Sequence, residues 1–372
     1  MDIKTITCHN VYNHGASLQA YALQTFITEH GYQNEIVDYN PWYLYDRYQF
    51  FDVGNPKWNK NFLTKTLYIT LKLPAKIRFL KRKKAFDFFT KEYLHLTKER
   101  FFNHDTLKNC SCDVLICGSD QIWNPSFENG KDPAFFGEFI QKKYLMSYAA
   151  SLGTDTVPEA LEEMFKNRLA HFQAISVREQ TAKKALERMG VSGVSVCIDP
   201  VYLLNAEQWE SALELKKTDE KYMLVYFFEG NEAIQSTILN AAKKTGLKIY
   251  SVNSSKCAFA DKSFHQVGPR TFAELVFNAE MVITNSFHGL SFSLIFQKKV
   301  WVVSRGGLNS RLTDLLASIG LENRRLDCSA TEEPDFTTPI DYEPVSVQLN
   351  SHIKHAKKYL LNCLEEAENG IK

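Results

Sequence analysis

Two series of short apolar runs, each separated from the next by a helical pattern, constrain this chain more than any other feature. In the first, "IKTITCH" (3–9) reads as a strand. "SLQAYALQTFITEH" follows, with Leu18, Ala22, Thr25 and Phe26 on one helical face and Gly31 suited to its end. "EIVDY" (35–39) then completes a βαβ unit. Further strands are predicted at 113–117, 144–150, 174–177 and 194–198. The second series opens at "KYMLVYFF" (221–228), continues through a helix at "STILNAAKK", and adds strands at 247–252, 281–284 and 299–303 with a helix at 271–279. Apolar strands alternating with helices predict parallel sheets covered on both faces. The fold class is therefore α/β with two Rossmann-like domains. We expect residues 1–205 to form the first, with an insert at 57–91, residues 206–345 the second, and 346–372 a closing helix.

A length of 372 residues agrees with two cores. The net charge of +1 does not mark the chain as a nucleic-acid binder. No apolar run approaches the roughly 20 residues of a membrane span, and "MDIKTITCHN" lacks the pattern of a signal peptide. A cytoplasmic protein is expected. Its eight cysteines then read as reduced and mostly buried. Only "CSC" (110–112) has metal-like proximity, without a second pair at zinc-site spacing, so no metal is expected.

The segment from Lys57 to Lys91 departs from the alternation. It holds eleven Lys or Arg residues and one acid, Asp87, with Phe, Leu, Ile and Tyr interleaved. It reads either as a solvated helix pair packed on the first domain or as a surface for anionic lipid or a lipid-linked substrate.

In open α/β sheets, ligands bind beyond the carboxyl ends of the strands. The polar residues at those positions are the site candidates. After the first strand they are Asn10, His14, Gly15 and Ser17, which read equally as a turn with a helix cap near Ser17 and as ligand contacts. This loop lacks the G-x-G-x-x-G spacing of dinucleotide sites. After "VLIC" come Ser119 and Asp120, the latter suited to capping a helix; after "SYAA" comes Ser151. Arg178 leaves "AISV" and suits bidentate binding of phosphate or carboxylate. After "MVIT" come Asn285, Ser286 and His288, and after "KVWVVS" come Arg305 and Arg311. His288 falls at a predicted strand-to-helix turn, with Gly289, Ser291 and Ser293 allowing close packing. A helix start favours anions and lowers an imidazole's pKa, which suits proton transfer near neutrality. A satisfied core histidine is the competing reading.

Together, "NHGASLQAYAL", "ICGSDQIWNP", "SYAASLG", "ISVRE", "CIDPVYLL", "NSFHGLSFSLIF" and "SRLTDLL" resemble the polysaccharide pyruvyl transferase family. The resemblance implies two Rossmann-like domains in a GT-B-like arrangement, facing each other across a cleft that holds the site. It implies phosphoenolpyruvate as donor, a sugar diol as acceptor and a cyclic ketal on a bacterial surface glycan as product. It supports Arg178 and His288 as functional residues, and places a basic side chain after the "KVWVVS" strand, where Arg305 and Arg311 both qualify. The expected donor set is Arg178, Asn285, Ser286, Arg305 and Arg311; the expected acceptor set is Asn10, His14, Gly15, Ser17, Ser119, Asp120 and Ser151. Phosphoenolpyruvate is then a co-substrate and no cofactor is needed. The acceptor includes lipid-diphosphate-linked sugars, which would bring the segment 57–91 to the inner face of the membrane. Two other functions share this pattern: a GT-B glycosyltransferase using a nucleotide sugar, and a non-catalytic glycan- or nucleotide-binding protein.

Overall fold

The computed structural model describes residues 1–45, 58, 60–140, 143–227, 231–303, 310–327 and 334–371. β1 (Asp2–Ile6), β2 (Gln33–Tyr39), β3 (Leu96–Phe101), β4 (Val114–Cys117) and β5 (Tyr144–Ser147) form a parallel sheet in the order 3-2-1-4-5. β6 (Ile175–Val177) pairs with β7 (Val194–Val196), and bridges from Met146 to Ala174 and from Ala150 to Val177 carry the sheet past β5. β8 (Tyr222–Tyr226), β9 (Lys248–Ser251), β10 (Lys262–Ser263), β11 (Met281–Thr284), β12 (Lys299–Val303) and β13 (Arg325–Leu326) form a second parallel sheet in the order 10-9-8-11-12-13. Every residue of β4, β8 and β11 is buried, which is why these central strands read as unbroken apolar runs. In both sheets the order reverses beside the first strand, between β1 and β4 and between β8 and β11. The carboxyl ends at such switch points are where open α/β sheets hold ligands.

The helices are α1 (His14–Glu29), α2 (Trp42–Tyr45), α3 (Phe62–Tyr93), α4 (His104–Leu107), α5 (Glu159–Leu169), α6 (Gln180–Arg188), α7 (Ala206–Ala212), α8 (Glu232–Thr245), α9 (Pro269–Asn278), α10 (Phe287–Ile295), α11 (Ser310–Ser318) and α12 (Tyr342–Ile371). One hydrophobic cluster runs through both halves, joining Leu18, Ala22 and Tyr148 to Trp209, Phe272, Leu290 and Phe292. Trp209 is fully buried, donates from Nε1 to the Val201 carbonyl at 2.9 Å and meets Phe292 edge-on at 5.0 Å. α12 touches both halves. The Tyr342 hydroxyl donates to the Lys298 carbonyl at 2.6 Å, and the Tyr359 hydroxyl to the Ser147 carbonyl at 3.2 Å.

Three local expectations change. β3, "LTKERF", has three exposed positions and lies at the sheet edge, so its polar sequence hid it. α1 starts at His14: the Asn13 side chain accepts from the Gly15 amide at 2.9 Å and the Ala16 amide at 3.3 Å, so Asn13 is the cap. Ser17 lies inside the helix, its hydroxyl donating back to the Asn13 carbonyl at 3.4 Å.

The third change concerns the basic segment. Instead of a helix pair, α3 is one helix of 32 residues, with Pro74 inside it and an Asn61–Thr64 capping box at its start. Its second half packs where the two halves of the molecule meet. Arg82 is buried; its guanidinium donates to the Tyr12 carbonyl at 3.0 Å and the His265 carbonyl at 3.4 Å, and lies 4.8 Å from the centre of the Phe86 ring. A side chain at Gly268, which caps α9, would come within 2.7 Å of the Ala85 carbonyl oxygen. Lys83 pairs with Asp87 at 2.7 Å and reaches the Tyr12 hydroxyl at 2.8 Å. Of the run Lys81–Lys84, only Lys81 and Lys84 are exposed cations of a solvated face.

Arg82→Ala is expected to lower the unfolding free energy by about 1–3 kcal/mol, because it leaves buried carbonyls without donors. Lys81→Gln is expected to stay within about 0.5 kcal/mol. Urea midpoints of the two variants check this, and equal midpoints would remove Arg82 from the packing of the two halves.

Candidate active site

The site is built on three strand ends and one helix start. Arg178 follows β6, Asp199 follows β7, Asp120 follows β4, and His288 lies in the first turn of α10. The Asp199 side chain accepts from the Val201 amide at 3.1 Å, capping a short 3-10 turn over Pro200–Leu203. Its other oxygen, Oδ2, takes Arg178 Nη1 at 2.5 Å and faces His288 Nε2 at 3.5 Å. The last distance is long for a full hydrogen bond, so that contact acts chiefly through charge. Arg178 also donates from Nε to Glu179 at 3.4 Å, places Nη2 3.8 Å from Asp120, and stacks its guanidinium 4.4 Å over the Phe287 ring. Nη2 has no hydrogen-bond partner. The arginine offered by the sequence for a donor anion is thus already matched by three protein carboxylates.

Charge is balanced tightly here. Burial pulls the Arg178 pKa down, and Asp199, Glu179 and Asp120 more than offset it, so it lies above the ordinary arginine value. Burial also pushes Asp199 up, but His288, Arg178 and the Val201 amide outweigh it and bring the carboxyl down to about 2. Glu179 goes the other way. Burial raises it, with Arg178, Arg311 and the Ser151 hydroxyl only partly opposing. Ser151 donates to Glu179 Oε1, while Oε2 has no partner.

α10 begins at an N-cap, Ser286, whose side chain accepts from the Gly289 amide at 3.3 Å. A side chain at Gly289 would meet Thr284 Oγ1 at 2.4 Å, which is why a glycine follows the histidine. Across the junction, a side chain at Gly15 would lie 1.9 Å from His288 Nδ1. The glycine of "NHG" therefore lets the start of α1 close on the histidine of "FHG". Beside it His14, fully buried, stacks between Phe86 at 5.0 Å and Phe272 at 4.9 Å. Both of its ring nitrogens lack partners, and burial with the nearby Arg82 charge holds its pKa well below the ordinary range.

The structure brings together Arg178, Asp120, Ser151, Gly15, Ser286 and His288. Arg311 joins them from α11: with the Gln121 amide oxygen turned toward it, its guanidinium donates at 2.8 and 3.2 Å. Asn285 is buried beside Ser286 at the end of β11. Arg305 lies outside the described residues. Asp120 caps no helix; it sits in a left-handed turn (φ 67°) and turns its carboxylate to Arg178. Ser119 is fully buried, with its hydroxyl on the Ala149 carbonyl at 2.7 Å, so it ties two loops. His14 and Ser17 are enclosed, and Asn10 opens elsewhere, on a cavity of about 420 Å³ shared with Tyr12, Asp38, Lys83 and Arg100. Larger cavities of about 720 and 730 Å³ lie away from His288, one against Gly137 and Arg168, the other against Ser318 and Pro344. Among the described residues, no three His, Cys, Asp or Glu side chains converge as metal ligands.

Asp199 was not singled out by the sequence. Its signal was there: one acid inside "VSVCIDPVYLL", followed by proline, in a run otherwise almost wholly apolar. An ionised residue in such a run needs a buried partner.

The two halves make a GT-B-like fold. The UDP-GlcNAc 2-epimerase of Neisseria meningitidis superimposes with a TM-score of 0.51 at 12% identity, over 98% of this chain and 100% of that one. The UDP-GlcNAc 2-epimerase of Methanocaldococcus jannaschii gives a TM-score of 0.50 at 12% identity, over 86% and 88% of the two chains. At this identity the likeness is one of fold. No curated protein sequence matches. The sequence profile of the polysaccharide pyruvyl transferases matches residues 13–307, and the chain belongs to that family.

Gly15→Ala is expected to cost about 1–3 kcal/mol through overpacking against His288. In a His288→Ala background the same change is expected to be neutral or stabilising, since alanine is the better helix former. Urea unfolding of the four proteins measures the coupling, and an equal cost in both backgrounds would separate the two residues.

Asp199 adds a pH dependence. Its folded pKa lies below its unfolded value, so its contribution is present above about pH 4 and is lost as the pH falls toward about 2. The amount is on the order of 2 kcal/mol. Asp199→Asn is expected to flatten the fall of the urea midpoint over that window; an unchanged slope would show that the carboxylate is not held by Arg178 and His288.

Proposed function

We propose that this protein transfers the pyruvyl group of phosphoenolpyruvate to two hydroxyls of a sugar, forming a cyclic ketal and releasing phosphate. The carrying observation is the buried Arg178–Asp199–His288 chain at the junction of the two halves, in a member of the polysaccharide pyruvyl transferase family.

The reaction needs a proton on C3 of the enol, which makes C2 electrophilic. A sugar hydroxyl then attacks C2 and gives up its proton. The bond from C2 to the phosphate oxygen breaks, phosphate leaves, and a second hydroxyl closes the ring. One histidine serves as acid in one step and as base in another. Asp199 faces Nε2, so Nδ1, on the Gly15 side, is the atom left to exchange protons with substrate. A carboxylate in that position favours a proton on Nε2 and stabilises an imidazolium when one forms. In this reading Arg178 is chiefly a positioning residue for Asp199. The donor's phosphate and carboxylate are met by Arg311, by Arg178 Nη2, and by Ser286 and Asn285 at the start of α10. Arg305 belongs to the same proposed donor set from its sequence position. Neither a metal nor a further cofactor takes part in this scheme. The acceptor is a precursor of a bacterial surface glycan, such as a lipid-diphosphate-linked sugar, and the enzyme works in the cytoplasm at the inner face of the membrane.

The test is phosphate release from phosphoenolpyruvate with lipid-linked and nucleotide-linked sugars as acceptors. His288→Ala is expected to lower turnover by about 10²–10⁴. Arg178→Lys is expected to lower turnover and shift the pH profile, because an ammonium cannot meet Asp199, Glu179 and Asp120 at once as the guanidinium does. Arg311→Ala is expected to raise the Michaelis constant for phosphoenolpyruvate. Sugar transfer from a nucleotide sugar without phosphoenolpyruvate would replace this reading with glycosyl transfer. Full binding and no turnover in both wild type and His288→Ala would leave a binding protein.

A further inference from the structure

The first half of α3 exposes an apolar face that no described part of the chain covers. Phe62 is 80% exposed, Leu63 78%, Leu67 52%, Leu71 64% and Ile77 52%. Leu63, Leu67 and Leu71 follow at four-residue intervals and form one ridge, with Phe62, Leu73 and Ile77 beside it. Thr66 and Thr70 lie within the same face. Their hydroxyls donate to the carbonyls of Phe62 and Thr66 at 2.8 and 2.9 Å, so they present methyl groups and carry no unpaired donor into an apolar phase. Farther along that face come Lys81 and Lys84, both exposed. From Asn61 to Ala85 the sequence has no Asp or Glu.

We propose that this half of α3 docks the protein on an anionic phospholipid bilayer, lying in the interface with its leucine ridge among the acyl chains. An apolar face, lysines and an absence of acids are what such a helix needs. A second copy of the chain is a poorer occupant, because pairing two such helices brings lysines together without a carboxylate between them. The helix lies on the bilayer and does not cross it: among the described residues no helix is long and apolar enough to span. The same helix continues into the junction of the two halves through Arg82 and Phe86, so docking holds the cleft at a fixed height and tilt above the lipid. The proposal holds whatever the acceptor is.

The test is co-sedimentation of the full chain with vesicles of phosphatidylcholine alone or mixed with phosphatidylglycerol, at low and high salt. Wild type is expected to bind the anionic vesicles at low salt and to be released by salt. Lys81→Gln with Lys84→Gln is expected to weaken binding by about fivefold per lysine. The triple variant Leu63→Gln, Leu67→Gln, Leu71→Gln is expected to lose on the order of a hundredfold or more while keeping its melting temperature, since all three side chains face solvent. Leu67→Trp is expected to add a blue-shifted emission with anionic vesicles. Absence of binding to anionic vesicles at low salt overturns the proposal, as does binding that the triple variant leaves unchanged. So does a dimer in sedimentation velocity that the triple variant dissolves, since a second copy would then cover the face.

Discussion

The site depends on one carboxylate kept ionised out of water. Asp199 is fully buried, and an isolated charge there would be neutralised by a proton. It stays charged because Arg178 and His288 meet the same oxygen, and the Val201 amide meets the other. The partners come from different parts of the fold. Arg178 and Asp199 follow the paired strands β6 and β7, while His288 opens a helix after a strand of the second sheet. A single charge thus ties the two halves together where a reaction between two substrates would need them joined. A buried pair of this kind is weak evidence for stability, since a well-packed apolar replacement often does as well. Its value for the proposed reaction lies in the negative charge it sets against the imidazole.

Two of the three acids beside Arg178, Asp199 and Glu179, are pushed in opposite directions. Asp199 falls because the His288 and Arg178 charges and the Val201 amide outweigh its burial, whereas burial raises Glu179 and its Oε2 has no partner. Arg311 of α11 acts on Glu179 and donates to Gln121 in the loop after β4, so this side of the cluster too is built from both halves.

Much of this was legible in the chain. The central strands β1, β4, β8 and β11 are fully or almost fully buried, so their apolar runs were unambiguous, and the polar residues after them fell at the switch points. Arg178 and His288 could be singled out because each is a polar residue at the edge of an apolar run. What stayed hidden depended on contacts distant in sequence. Asp199 and His288 stand far apart in the chain, and nothing local pairs them. Gly15 looked like a turn residue, and its need to be glycine appears only once His288 sits against it. The cap at Asn13 was masked by a second polar candidate, Ser17, four residues on. The polar edge strand β3 lacks the apolar pattern that marks the interior ones. In α3 the composition announced a basic surface, but could not show that Arg82 turns inward while the leucines turn outward.

The junction beside His288 is sealed by rings. His14 stacks between Phe86 of α3 and Phe272 of α9, Tyr226 stands edge-on to it at 5.9 Å, and Phe272 meets Phe292 at 5.9 Å. Neither nitrogen of His14 has a partner, and its pKa is held well below the usual range, so the neutral ring is the form that fits. This imidazole therefore serves as an aromatic plate, while the one next to it, against a carboxylate, is the proton carrier of the proposed reaction. The same residue type is separated into two roles by its surroundings. For the proposed chemistry the dry seam has a purpose. Protonating the enol leaves an electrophilic carbon that water would capture as readily as a sugar hydroxyl, and a wall of stacked rings excludes water from one side of it. Gly15 closes that wall onto His288 because it has no side chain to hold the two apart.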